Sequence, residues 1–238
     1  MARFNRLEVL HTILDSGLVP LFDEGDVEVA KRIVSACAAG GARVVEFRNR
    51  RELSFLTFAE LVKWAATAEP SVILGVGSVV DAPTAALYLG CGANFVVSPV
   101  LNTETARICN RQKVAHMPGC GSVTEISAAE ELGVEICKIF PGREIGGPSF
   151  VKSVLGPCPW SRLMPTGGVD ATEESVSGWM RAGAACVGMG SRLITDDLVR
   201  RGEFGAIASK VEQVIKWIKA ARGAGTTDGS TATRPPNG

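Results

Sequence analysis

Residues 162–189, RLMPTGGVDATEESVSGWMRAGAACVGM, decide the fold because they hold one complete strand–helix–strand unit. The short apolar runs at 162–165 and 185–189 are typical of buried strands in a parallel sheet. Residues 173–182, which lie between them, predict the connecting helix. Outward from this stretch the same unit recurs along the chain, which is the pattern of an α/β fold with a parallel sheet.

The alternation predicts eight strands, each followed by a helix, and this number favours a (β/α)8 TIM barrel. The strands are predicted at residues 18–22, 43–47, 72–77, 94–97, 114–117, 134–140, 162–165 and 185–189. Apolar residues at helical spacing over residues 6–15 predict an extra N-terminal helix. A doubly wound open sheet gives a similar alternation with fewer units and stays open as the alternative.

The length of the chain is that of one domain. It has 238 residues, which is close to the roughly 250 residues of a typical barrel. We expect a single barrel domain over residues 1–222. Residues 223–238, GAGTTDGSTATRPPNG, are small, polar and proline-bearing, and they predict a disordered tail because they bury too little apolar surface to fold.

Charge and cysteine content exclude several classes of function. The chain has 25 Lys and Arg and 25 Asp and Glu, so it lacks the basic footprint of a nucleic-acid-binding protein. No apolar run approaches a membrane span, and the N-terminus lacks a signal-peptide core. Seven scattered cysteines without a C-x-x-C motif predict free thiols in a reducing cytoplasm. Two histidines are too few for a histidine-based metal site.

Lys138 lies inside the apolar segment VEICKIF, whereas most other lysines fall on predicted helices. Burial of an ammonium group is costly and lowers its pKa towards the neutral, nucleophilic amine. Such an amine forms an imine with a ketone, and the imine accepts electrons when a carbon–carbon bond breaks. From position alone, a lysine whose head reaches solvent or pairs with a carboxylate is an equally good interpretation.

Glu46 occupies the end of the segment RVVEF, where a core residue would be apolar. Strand alternation places Val44 and Glu46 on one face, as it does Ile136 and Lys138. If both polar side chains point into the barrel, they meet at one end of it, and the carboxylate can move protons during imine chemistry. A structural ion pair is the alternative interpretation.

Glycine-rich loops follow the last two predicted strands. The first, PTGG, contains Gly167 and Gly168, and the second contains Gly190 and Ser191. In phosphate-binding barrels these two loops and a short helix supply backbone N–H groups to the anion, and we predict that helix at residues 191–194. Glycine lets the backbone approach a phosphate closely, although glycine-rich turns are also ordinary turns.

Three arginines crowd the mouth of the second predicted strand in the segment EFRNRR, at Arg48, Arg50 and Arg51. A solvated charge run is the usual explanation, but a guanidinium group also binds a substrate carboxylate through two hydrogen bonds. Ser78, after GVG, and Pro99, after VVS, mark two more strand ends. Alone, each of these two is an ordinary turn residue.

Taken together, these segments resemble the 2-keto-3-deoxy-6-phosphogluconate (KDPG) / 4-hydroxy-2-oxoglutarate (KHG) aldolase family over roughly residues 19–193. The matching segments occur in the family's order: GGARVVEF, GVGSV, GANFVVSP, MPG, CKIFPG, GGPSFVKSVLGP, MPTGGV and GMGSRL. The resemblance implies a class I, metal-independent aldolase that needs no cofactor. It also implies a homotrimer.

The resemblance implies roles for individual residues as well. Lys138 matches the Schiff-base lysine, and Glu46 matches the general acid/base. Arg50 matches an arginine that binds the pyruvyl carboxylate in some members, and Ser78 replaces a threonine and keeps its hydroxyl. The other matches are substrate-contacting positions at Pro99, Phe140 and Thr166 and phosphate-binding positions at Gly167, Gly168, Gly190 and Ser191.

One departure from the family pattern lies at the end of the first strand. Many members carry an arginine there, whereas this chain has Phe22 followed by Asp23 and Glu24, which makes that edge less hospitable to an anionic substrate. Two explanations stay open. Arg48 or Arg50 takes over the anion-binding role, or the substrate differs from the phosphogluconate derivative.

The implied reaction is cleavage of KDPG, or of a close 2-keto-3-deoxy sugar acid, to pyruvate and glyceraldehyde 3-phosphate. KHG aldolase and phosphogalactonate aldolase activities are alternatives with the same chemistry. A non-catalytic barrel that senses a phosphorylated metabolite is a rival of another class, and another phosphate-binding barrel enzyme, such as an isomerase, is a third. Lys138 and Glu46 favour the aldolase over the sensor, because a binding protein needs no buried amine beside a carboxylate.

Overall fold

The computed structural model of the chain describes residues 2–225, and the part of the predicted tail beyond Gly225 lies outside this range. The helices are α1 Arg6–Ser16, α2 Val27–Ala39, α3 Ser54–Ala68, α4 Ala82–Gly90, α5 Thr103–Gln112, α6 Val123–Glu131, α7 Gly147–Leu155, α8 Glu173–Arg181, α9 Asp196–Arg200 and α10 Phe204–Gly225. The strands are β1 Leu18–Phe22, β2 Val44–Arg48, β3 Ile73–Gly77, β4 Phe95–Val97, β5 Ala115–Met117, β6 Gly119–Cys120, β7 Cys137–Ile139, β8 Leu163–Pro165 and β9 Val187–Met189.

All paired strands are parallel, and they form a curled sheet. Six strands pair in the order β5-β4-β3-β2-β1-β9, and three pair in the order β6-β7-β8. Only Pro118 separates β5 from β6, so the two sheets meet there. The remaining edge strands of the two sheets are β8 and β9, and a single parallel β-bridge joins Thr166, directly after β8, to Gly188 of β9. Consecutive strands are neighbours throughout residues 2–225, and this order differs from the reversing order of a doubly wound sheet.

Side chains alternate between the two sides of the sheet, as strand geometry requires. The inward-facing residues form one apolar cluster: Val19, Val44, Ile73, Phe95, Val97, Ala115, Met117, Ile136, Met164 and Cys186. Helix α1 adds Val9, Leu10 and Ile13 to that cluster. The outward-facing residues, such as Val45 and Phe47, pack against the helices in a larger cluster. The predicted faces of β2 are therefore confirmed for its apolar residues.

Helix α1 stands directly before β1, and its ends follow ordinary capping chemistry. The side chain of Asn5 accepts a hydrogen bond from the N–H of Glu8 at 3.0 Å, which satisfies one of the free donors at the start of the helix. Gly17 ends the helix at a φ of 70°, a conformation that glycine adopts without strain. Because α1 ends where β1 begins, it covers the amino ends of the parallel strands.

Three local predictions differ from the structure. Residues 191–194 form a turn rather than a helix, and the short helix is α9, which begins where Thr195 caps it by accepting from the N–H of Leu198. The strand predicted at 134–140 is ordered as a strand only over Cys137–Ile139. Helix α10 continues to Gly225, three residues into the segment predicted as tail. Within residues 2–225, no helix is both long and apolar enough to cross a membrane.

Candidate active site

A cavity of about 170 Å³ opens at the carboxyl ends of the strands, where parallel α/β folds place their sites. It gathers side chains from both glycine loops and from the ends of β2, β3 and β7. Ten of the eleven predicted site residues line it: Glu46, Arg50, Ser78, Lys138, Phe140, Thr166, Gly167, Gly168, Gly190 and Ser191. The structure therefore brings together residues that lie far apart in the sequence.

Lys138 is the middle residue of β7, and its side chain points to the inner face of the sheet. It is 6% exposed, and its backbone N–H donates to the carbonyl of Pro118 at 2.9 Å. Its Nζ atom lies 5.0 Å from the centroid of the Phe140 ring. The neighbour Cys137 faces outward in the larger cluster. Burial lowers the pKa of Lys138 from its ordinary value, and the Glu46 carboxylate partly opposes this shift.

Glu46 lies on β2 and is 1% exposed. Burial raises the pKa of its carboxyl group, and Lys138 partly opposes that shift. Each of these two groups exerts the strongest electrostatic effect on the pKa of the other. Within residues 2–225, no hydrogen bond or ion pair within 4.0 Å joins the amine to the carboxylate, so the two groups influence each other through the cavity rather than by direct contact.

Gly77 makes room for the Glu46 side chain, and it is a site residue that sequence reasoning missed. It lies on β3, two residues beyond Gly75, whose register partner on β2 is Glu46. A Cβ atom at Gly77 would overlap the Glu46 Oε1 atom. Alternate glycines in the strand ILGVG, beside a strand with an inward carboxylate, were the available clue.

Arg50 and Ser78 form a polar pair beside the lysine. The Nε of Arg50 donates to the Oγ of Ser78 at 3.1 Å, and both residues line the cavity. Ser78 adopts a φ of 61°, which is uncommon for a residue with a side chain and is often found at functional sites. The remaining N–H donors of Arg50 are available to a ligand in the cavity.

The two glycine loops form another wall of the cavity. Gly167 and Gly168 adopt φ values of 83° and 79°, which glycine reaches without strain. Thr166 is 6% exposed, and its Oγ1 is buried without a hydrogen-bond partner. An unsatisfied hydroxyl beside backbone N–H groups of both loops gives this wall spare hydrogen-bonding capacity for a polar ligand.

Pro99 is the one predicted site residue that the structure does not bring into the cavity. Its carbonyl packs against Gly119, whose register partner on β7 is Lys138. Pro99 therefore packs against β6 rather than lining the cavity. Two cations not assigned to the site line it as well, Arg48 and Arg192.

The fold and the site define a class of protein. It is a TIM-barrel-like α/β enzyme with a buried amine, a buried carboxylate and two glycine loops at the carboxyl ends of its strands. Comparison with known proteins then gives the family. Residues 10–210 match the family model of the KDPG and KHG aldolases. The chain belongs to this family and is an aldolase, a carbon–carbon lyase.

Individual relatives agree with this assignment. The chain is 32% identical over 200 residues to the 2-dehydro-3-deoxy-phosphogluconate aldolase of Pseudoalteromonas atlantica, covering 83% of this chain and 89% of the relative. The KDPG aldolase of Zymomonas mobilis ZM4, solved with 3-phosphoglycerate, is 26% identical with a TM-score of 0.75, covering 86% and 95%. The Legionella pneumophila KDPG aldolase, solved with pyruvate as a covalent carbinolamine, shares the fold at 24% identity and a TM-score of 0.78, covering 85% and 96%.

Proposed function

We propose that this aldolase cleaves KDPG to pyruvate and glyceraldehyde 3-phosphate through a Schiff base on Lys138. The observation that carries the proposal is the burial of the Lys138 amine and the Glu46 carboxylate in one cavity. An amine with a lowered pKa is more often neutral and nucleophilic, and a carboxyl group with a raised pKa is more often protonated, so it can give a proton as well as take one.

The steps use these two groups in turn. The neutral Lys138 amine adds to the C2 ketone, and the resulting carbinolamine loses water to form an iminium ion. Glu46, acting through water, removes the proton of the C4 hydroxyl, the C3–C4 bond breaks, and its electron pair moves into the iminium ion. The aldehyde leaves, the enamine is protonated at C3, and hydrolysis releases pyruvate and the free lysine.

Binding groups at either end of the cavity support this orientation of the substrate. We assign the C1 carboxylate to the Arg50–Ser78 pair, since a guanidinium group binds carboxylates through several donors. Phe140 covers the lysine, and Thr166 offers a free hydroxyl to the substrate. We assign the phosphate to the backbone N–H groups of Gly167, Gly168, Gly190 and Ser191.

KHG aldolase activity is a second candidate, because the matching family model covers KDPG and KHG aldolases alike. The two substrates share the pyruvyl half and differ in the aldehyde half, which is glyceraldehyde 3-phosphate in KDPG and glyoxylate in KHG. Phosphogalactonate aldolase activity differs from the leading proposal only in the configuration of the substrate. Cleavage rates for these three substrates, measured side by side, decide among them.

Borohydride reduction in the presence of pyruvate, followed by peptide mass spectrometry, tests the proposed function. Reduction converts the imine into a stable secondary amine, so a pyruvyl adduct on the peptide that contains Lys138 is expected. An adduct on another lysine, or no adduct at all, would contradict the proposal.

We further propose a closed eight-stranded barrel in which β5 and β6 act as one strand and α1 is an extra helix, all within one domain over residues 1–222. The single Pro118 between β5 and β6 and the bridge from Thr166 to Gly188 support the closure.

We also propose a homotrimer located in the cytoplasm. Exposed apolar side chains lie on or beside α3 and α4 and support burial of this surface between subunits: Leu53, Leu56, Val80 and Leu87. Light scattering of the purified chain tests the trimer.

For the cytoplasmic location, the free thiols of all seven cysteines support a reducing compartment.

A further inference from the structure

A second cavity, of about 640 Å³, adjoins the active-site cavity above the end of β1. Four residues line both cavities and therefore mark their junction: Leu21, Arg48, Arg50 and Ser191. Ser191 belongs to the glycine loop after β9, and Arg48 ends β2. The aldehyde half of a substrate bound at Lys138 extends towards this junction, since the Arg50–Ser78 pair takes the carboxylate end.

Arg48 is the cation that is best placed at the junction. Its side chain is largely buried, and its guanidinium group forms an ion pair with Asp23 in the loop after β1. Its Nε atom is buried without a hydrogen-bond partner, so its donors are not all satisfied. Arg192, the other unassigned cation, is 68% exposed and pairs with Asp170 at 3.3 Å, so it is less firmly oriented.

Arg48 and Arg50 both line the junction, but their guanidinium groups are held by partners on different sides of it. Arg50 is tied to Ser78 and affects the pKa of Lys138 more strongly than Arg48 does. Arg48 affects the pKa of Glu46 more strongly than Arg50 does. Ser78, the partner of Arg50, lines only the active-site cavity, whereas Asp23, the partner of Arg48, lines only the second cavity. Arg48 is therefore held on the side of the junction away from Lys138, where a distal group of the substrate would lie.

The end of β1 supplies no cation of its own. Phe22 is buried, and its ring packs edge-on against Phe47 with centroids 5.6 Å apart. The next residue, Asp23, is acidic and is held by Arg48, with Arg51 at 3.7 Å from its carboxylate. Arg48 lies on β2 and forms its ion pair with Asp23, which directly follows β1. It therefore places a cation at the apolar end of β1.

We propose that Arg48 binds the terminal phosphate of the aldehyde half, opposite the glycine loops, and that Asp23 is the positioning residue that orients it. This inference rests on the proposed function and names the side chain that distinguishes phosphorylated from unphosphorylated substrates. A guanidinium group presents several donors in one plane, so it can add charge-assisted hydrogen bonds to those that the backbone N–H groups of the loops give the phosphate.

The test compares KDPG with its unphosphorylated counterpart, 2-keto-3-deoxygluconate, in steady-state cleavage. In Arg48→Gln we expect KM for KDPG to rise about 10- to 100-fold, because one or two charge-assisted hydrogen bonds to the phosphate are lost. We expect kcat to change little. KM for the unphosphorylated substrate should change less than about 3-fold, since it lacks the phosphate. Arg48→Lys keeps the charge and should restore part of the affinity.

Matched variants show whether the effect of Arg48→Gln depends on the position of the arginine or only on the loss of a positive charge. Arg201→Gln removes a cation from the end of α9 that lines neither cavity, so it should leave the ratio of the two KM values unchanged. Asp23→Asn should raise KM for KDPG by a smaller factor than Arg48→Gln, with kcat little changed, and Asp23→Glu should recover most of the loss. Thermal unfolding of each variant verifies that it is folded.

The inference is overturned if Arg48→Gln leaves the ratio of the two KM values unchanged, whether neither KM rises or both rise by the same factor. A wild-type enzyme that does not distinguish the substrates at all also overturns it. The proposed function fails in a different way, through the absence of a trapped pyruvyl adduct on Lys138, because pyruvate carries no phosphate and its trapping does not depend on Arg48.

Discussion

The same strands line both ends of the sheet interior, but the amino end is apolar and the carboxyl end holds ionisable side chains. At the amino end, Val44 of β2 and Ile136 before β7 are part of an apolar cluster that α1 closes with Ile13. Two residues further along the same strands, on the same face, stand Glu46 and Lys138. One step of strand alternation therefore separates a packed core from a buried amine and carboxylate.

This difference teaches where stability and function reside. Burial of apolar side chains stabilises the fold by roughly 25 cal/mol per Å², whereas burial of ionisable groups opposes it. The apolar amino end therefore stabilises the fold, and this stability offsets the unfavourable burial of the ionisable groups at the carboxyl end. Substitutions at the two ends are expected to have different consequences, which the following variants measure.

The largest effect is expected from Lys138→Met, which removes the amine and keeps a side chain of similar length. Cleavage should fall roughly 10⁴- to 10⁶-fold, the range seen when a nucleophile or its partner is removed from other covalent enzymes. Lys152→Met, on the exposed side of α7, is the control and should retain full activity. Residual cleavage near the wild-type rate in Lys138→Met would contradict the assignment.

Gly77→Ala is expected to disturb the carboxyl end without removing any polar group. The new Cβ occupies the space of the Glu46 carboxylate, so the side chain must move. Since general acid–base catalysis contributes 10²–10⁴-fold, we expect kcat to fall by roughly 10²-fold. Gly90→Ala, at the end of α4 with open space around it, should behave as wild type. Equal kcat values in the two variants would show that Glu46 needs no such space.

Ile13→Ala should affect the amino end in the opposite way. Ile13 is fully buried in the inward cluster, so truncation should lower the free energy of unfolding by about 2–5 kcal/mol. The folded enzyme should keep its kcat, because α1 lies far from the carboxyl ends of the strands. Leu7→Ala on the exposed face of α1 should change stability by less than about 0.5 kcal/mol. Urea unfolding and assays on the same samples measure both quantities.

A pH titration sharpens the comparison with a group that belongs to neither end. His116 faces outward from β5, its Nε2 lies 2.9 Å from the Ser98 Oγ, and burial lowers its pKa to about 4. Between about pH 4 and pH 6.5 the unfolded chain binds the proton more readily, so stability rises with pH in this window. Acidification through this window should lower the free energy of unfolding by about 3 kcal/mol in total.

His116→Gln removes that titration. The difference in unfolding free energy between wild type and variant should therefore shrink as the pH falls from 7 to 4. A difference that stays constant over this range would mean that His116 does not titrate as its burial implies.

Much of the architecture could be predicted, because it depends on local patterns. Short apolar strands and connecting helices recur with a period that the sequence displays, and alternation alone places Glu46 on the face of Val44 and Lys138 on the face of Ile136. The boundaries were less predictable. Residues 191–194 carry serine and apolar residues that suit a helix, but Thr195 caps the next segment and moves the helix to α9.

The sequence by itself determined the parallel α/β class, the face that Glu46 shares with Val44 and Lys138 shares with Ile136, and the glycine loops, since each depends on neighbours along the chain. Only the tertiary structure decided which distant residues meet. It brought Gly77 against Glu46, tied Arg48 to Asp23, and left Pro99 outside the cavity. These relations depend on which strands lie side by side and how their loops bend, and side-chain packing across strands leaves no periodic trace in a single sequence.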